Sequence, residues 1–227
     1  MSAENVSEEK IPKHPDPVAP VFFVSHATSH DNADGQNEPN AVFLEFERAL
    51  NEDLNHSMAR RAGANPGFID RRLRAGSNWE REILKAIGTC QVLVALVSEP
   101  FVRSEWCGKE WHAFTQRRTW RRSDGSLMED SQCALPVLWT VDPEDRYPEI
   151  VRRHQRFSPR PTSRLALDQL YLREGIYGMY RAEYDAYRAT VWRIAQEIQQ
   201  LVTDYWVEPL IPNGNTSLIN VFEGEEP

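Results

Sequence analysis

The chain has 227 residues, 41% of them hydrophobic, which fits one domain with a buried core and flanking tails. Its formal net charge of −8 argues against sequence-independent nucleic-acid binding, because neutralising phosphates takes a surplus of Lys and Arg, so no nucleic-acid partner is expected. No apolar run approaches the ~20 residues of a membrane span, and residues 1–20 lack the apolar stretch of a secretory signal, so a cytoplasmic protein without a membrane partner is expected.

Residues 1–19 are acidic, contain proline and offer no apolar face, and read as a disordered leader. Val21–Val24 is a short buried strand ending at Ser25 and His26, and a polar loop follows over 28–37. Pro39 suits a first helical position, and Phe43, Phe46, Leu50 and Leu54 recur at helical spacing, giving a helix that fades by Arg60. Phe68–Asp70 is a second strand, followed by a basic, Gly-containing loop over 71–78. A helix starting near Trp79 buries Ile83, Leu84 and Ile87 and stops at Gly88. Val92–Val97 is rich in Val and too short for a helix, so it reads as a third buried strand. Ser104 then caps a helix with Glu105 in its first turn, and Trp106 lies one turn before Glu110 on the same side.

The basic run at 115–122 and the polar stretch through Asp130 read as a solvated helix end and loop. Cys133–Trp139 is a fourth strand, with Pro136 at its beginning or at an edge, and Gln169–Leu172 is a short fifth. From Tyr177 to Trp206 the apolar positions alternate four and three residues apart, predicting one continuous helix that packs on its own sheet rather than forming a dimer seam. Residues 207–227 read as a tail. The cysteines Cys90, Cys107 and Cys133 lie beside apolar strands or in a helix without metal-ligand spacing, which predicts buried reduced thiols and no metal site. Alternating strands and helices predict an α/β fold with a mainly parallel sheet.

Ser98, Phe101, Ser104, Trp106, Cys107 and Glu110 follow the spacing S-x-x-Y/F-x-x-S-x-W-C-x-x-E and resemble the TIR domain family, closest to its plant type. Phe68, Asp70, Leu73, Gly76 and Leu84–Ile87 are similar to the TIR BB-loop region, with the loop one residue shorter than in the plant pattern. Val141–Asp145 and the preceding Leu135-Pro136-Val137 resemble a third TIR segment, and the combination of Gly67–Arg71, Cys107–Trp111 and Pro136–Trp139 is similar to the TIR-like FxsC proteins. The resemblance covers about residues 20–205, so a TIR domain is expected over 20–206.

The resemblance implies a flavodoxin-like doubly wound sheet of five strands in the order 2-1-3-4-5, with ligands bound outside the strand ends where the order reverses. It implies NAD+ as a substrate, no resident cofactor, self-association, an activating partner protein, and a place in immunity against phage or in signalling. Glu110 stands where NAD-cleaving members carry the catalytic glutamate. Ser25, His26, Arg71, Trp79, Ser98 and Trp106 are the substrate-binding candidates, with Trp106 or Trp79 stacking on nicotinamide and Arg71, Arg72 or Arg74 reaching the pyrophosphate. The chemistry needs only one carboxylate: nicotinamide carries a positive charge and leaves neutral, so no general acid is required, whereas an ordinary glycosidase needs two carboxyl groups.

Plainer readings stand beside these. Glu110 also reads as an exposed helix charge paired with Lys109 or Arg103, Ser25 as a backbone-bonding strand end, His26 as an exposed loop histidine, and Ser98 and Cys107 as structural. Trp111 reads as a core aromatic. A Ser/His/Asp hydrolase built from Ser25, His26 and Asp31 lacks a G-x-S-x-G elbow. A non-catalytic TIR module acting by homotypic assembly is the alternative function.

Overall fold

Four apolar runs pair in parallel to make the central sheet. In the computed structural model, which describes residues 19–27, 38–58, 66–69, 79–141, 147–159 and 165–223, they are β1 (Phe22–Ser25), β2 (Gly67–Ile69), β3 (Val92–Val97) and β5 (Ala134–Leu138). The strand order is β2-β1-β3-β5. Every residue of β1, β3 and β5 is buried, as expected when both faces of a parallel sheet are covered and the sequence is continuously apolar rather than alternating. In the register, Ser25 lies beside Ala95, so both strands run out toward the same edge.

Among the described residues the sheet has four strands where five were expected. Gln169–Leu172 lies inside helix α6 (Leu165–Ala182), which is interrupted at Gly175 (φ 63°). The free side of β5 is satisfied in other ways: the Phe157 N–H donates to the Pro136 carbonyl at 2.9 Å, and the Leu138 N–H donates to the Tyr171 hydroxyl at 2.7 Å. Tyr171 is fully buried and belongs to the expected strand, so this aromatic reflects packing on the sheet edge rather than pairing with it, while Leu172 beside it is exposed. Pro136, which has no N–H, stands on this edge strand.

Helices flank the sheet. The apolar stripe of α1 (Glu38–Ser57) buries Phe43, Phe46, Leu50 and Leu54, and α2 (Trp79–Thr89) buries Ile83, Leu84 and Ile87. The long C-terminal helical stripe is divided: α6 ends at Ala182, Glu183 takes an extended φ of −141°, and α7 runs Tyr184–Asp204. Tyr187, Val191, Ile194 and Ile198 of α7 are buried, and the helix packs on α1 and β3.

Residues 123–130 are mostly exposed turn and loop, as expected, but the basic run before them is partly buried. Thr119–Arg121 forms β4, antiparallel to β6 (Tyr205–Val207). Arg117 is buried, its Nη1 donating to the carbonyls of Ile87 and Cys90 at 2.8 Å each, its Nη2 to Val207 and its Nε to Glu208. Burial holds its pKa below the ordinary arginine value, and the carbonyls ending α2 supply the partial negative charge it needs. Residues 208–223, expected as a tail, lie along α2 and on into the helix after β3. The Leu210 N–H bonds the Gly88 carbonyl at 2.9 Å, and Phe222 packs on Phe101 and Trp111. A short α5 covers Glu149–Arg152. Residues 1–18 and 224–227, and the basic loop at 71–78, lie outside the described residues.

Candidate functional site

Two serine caps bring the chain from β3 into the helix that carries the candidate site. Ser98 accepts the Phe101 N–H at 3.3 Å and starts the short α3 (Glu99–Val102), a turn the sequence reading passed over. Ser104 accepts the Cys107 N–H at 3.3 Å and starts α4 (Glu105–Thr115), where it was expected to. The motif spacing thus has a local cause: each motif serine satisfies an N–H that the first turn of its helix leaves open. Phe101 and Cys107 are fully buried and fix the two turns against the core.

Glu110 faces inward from α4 and is only 2% exposed. Its Oε2 accepts the hydroxyl of Ser25, at the end of β1, and its Oε1 accepts the indole N–H of Trp106 at 2.7 Å. Charged acceptors make these the stronger kind of hydrogen bond, and such donors offset part of the cost of burying a carboxylate. The plain reading as an exposed ion pair is overturned. Lys109 pairs with Glu105 and Arg103 with Glu99, both on the outer side of their helices, while Glu110 is bonded across to the sheet. Ser25 and Glu110 are 85 positions apart in the chain, and the sheet order is what joins them.

The location is the topological switch. β1 pairs with β2 on one side and β3 on the other, so the crevice outside the ends of β1 and β3 is where a doubly wound sheet binds ligands. Ser25, Trp106 and Glu110 meet there. His26 follows at the same strand end, 6% exposed, with its ring centroid 4.3 Å from that of Phe43. Phe43 stacks in turn on Trp139, just past β5, at 4.2 Å. This ring series runs from the end of β1 to the end of β5. The sequence marked Phe43 only as a core position and Trp139 only as a strand residue, because helical spacing shows that a ring is buried and not which ring it meets.

Of the remaining candidates, Ser98 is spent as a cap and lies in no described contact with the carboxylate. Trp79 opens α2, but its side chain lies outside the described residues, as do Arg71, Arg72, Arg74 and Asp31. Trp111 is fully buried and packs edge-on against His154, as the core reading held. A cavity of about 300 Å³ opens elsewhere, at the start of β5, lined by Ala134, Leu135, Arg156, Glu197 and Asp204. It touches none of the candidate residues.

Comparison with known families matches residues 42–159 to a model described as a TIR domain. The matched span runs from within the first helix to just past α5 and includes Trp106 and Glu110, whereas Ser25 and His26 precede it. No curated protein and no solved structure matches the chain.

Proposed function

Because the chain belongs to the TIR domain family, we propose that it is an NAD+ nucleosidase, cleaving the bond between nicotinamide and ribose with Glu110 as the catalytic carboxylate. The observation that carries this reading is a buried carboxylate at the switch crevice, held by one donor from β1 and another from its own helix. In the reaction the C1′–N bond breaks and its electron pair goes to the nicotinamide nitrogen, which becomes neutral. The ribose is left with oxocarbenium character. A fixed negative charge beside it stabilises that charge without a proton donor, and in a site shielded from water it does so more strongly than in solution. Attack by water gives ADP-ribose, and attack by the adenine ring of the same molecule gives a cyclic ADP-ribose. The role is one in immunity or signalling, reached by TIR–TIR self-association with or without an activating partner.

The second reading is a TIR interaction module without turnover. The same burial of Glu110 favours it, because a carboxylate bonded to two protein donors also serves as a strut between α4 and β1. One experiment separates them. Purified protein, at high concentration and with a crowding agent to promote assembly, is incubated with NAD+ and free nicotinamide is measured. The enzyme reading expects release by the wild type and a loss of about 100-fold or more in Glu110→Ala, the scale of removing one electrostatic stabiliser of a transition state. Equal, background-level release from both proteins would leave the interaction module.

A further inference from the structure

The nucleosidase reading requires a sugar in contact with Glu110, yet that side chain is 2% exposed and an intramolecular donor occupies each of its oxygens. A ribose reaches the carboxylate only after a neighbour moves. Ser25 is held in place: it is paired with Ala95 of β3, and the residue is fully buried. Trp106 is placed differently. It is half-buried at the margin of the core, lies one helical turn before Glu110 and donates to it along the helix, so of the two donors it is the one with an outer surface.

We propose that Trp106 is a latch on Glu110: with its N–H on Oε1 it holds the carboxylate shut, and with the indole rotated out it admits a ribose hydroxyl to that oxygen. A hydroxyl is the same kind of donor as the group it replaces, so the carboxylate stays bonded through the exchange. The identity of the ligand, a nucleotide with a free ribose diol, rests on the nucleosidase reading. The latch itself rests on the hydrogen bond from Trp106 to the buried Glu110. Its cost is a population cost: when the open form is a minor fraction, apparent affinity falls by that fraction.

Trp106→Phe keeps an aromatic ring and removes the donor, and Trp106→Leu is the second variant should the first fail to fold by circular dichroism. Two readouts are taken on the full chain. Carboxyl labelling by a water-soluble carbodiimide with glycinamide, located by peptide mass spectrometry, should mark Glu110 several-fold more in the variant than in the wild type. The KM for NAD+ of Trp106→Phe should fall by about tenfold or more, the scale of one hydrogen bond to a charged group. Equal labelling of Glu110 in wild type and variant overturns the latch, whatever the turnover. Increased labelling with no nicotinamide released by any of the proteins upholds the latch and overturns the NAD+ reading.

Discussion

Ser25 ends β1 with no exposed surface and gives its hydroxyl to a carboxylate from a different element, so its removal tests the site without touching Glu110 itself. Ser25→Ala leaves a buried Oε2 short of a donor, and the expected cost is about 1–3 kcal/mol of folding stability by urea denaturation. A change below about 0.5 kcal/mol would mean that the carboxylate takes no support from β1. At this scale the sequence was legible where a motif fixed the spacing. Ser104, Trp106, Cys107 and Glu110 lie on one short helix, so their mutual placement follows from helical geometry alone. Arg117 was not legible. It sits in a run of four basic residues interrupted by Thr119 and Trp120, and nothing local marks it as the one that turns inward to the carbonyls of Ile87, Cys90 and Val207. Long-range acceptors decided its burial, and periodicity carries no record of them.

Elements were read well where both faces of a strand or one face of a helix meet the core, since burial writes a pattern into the sequence. Two of the failures lie at α6, which was expected as a strand and as the start of one unbroken helix. Its apolar residues resembled a strand because Tyr171 covers the edge of β5, and the helix that holds it is broken by Gly175. That break has a visible cause. Gly175 takes a φ of 63°, and a Cβ added there would lie 2.7 Å from the Trp139 carbonyl oxygen, which also accepts the Tyr177 N–H at 2.9 Å. Any side chain at this position meets both a left-handed backbone and a fixed carbonyl. Gly175→Ala is therefore expected to lower stability by about 1–3 kcal/mol, seen as a lower urea midpoint with an unchanged slope. Because Trp139 stacks on Phe43, which contacts His26, the same substitution should also broaden the His26 ring resonances. An unaltered midpoint would place the break of α6 outside the stabilising contacts of the fold.

Across the whole molecule the C-terminal segment binds helices from separate parts of the chain. The Asn215 N–H donates to Glu80 on α2 at 3.1 Å, and the Ile219 N–H donates to the Nδ1 of His112 on α4 at 3.4 Å, so the segment after β6 reaches the helix that carries Glu110. No local pattern announced this, because the segment is irregular and its partners are far away in sequence. The His112 contact makes the link dependent on pH. Nδ1 accepts only while it is unprotonated, and burial holds the His112 pKa below its ordinary 6.5. Between 6.5 and that lowered value the unfolded chain binds a proton that the folded chain excludes, so stability is complete above 6.5 and falls as the pH drops through this window. Two measurements follow. The urea midpoint of the wild type should decline on acidification through this range more steeply than that of His112→Gln. Hydrogen-exchange protection factors over 219–223, corrected for the intrinsic rate at each pH, should fall with it while those of β1 and β3 hold. Parallel pH profiles for the two proteins would show that the strap is held by Phe222 against Phe101 and Trp111 and owes nothing to the imidazole.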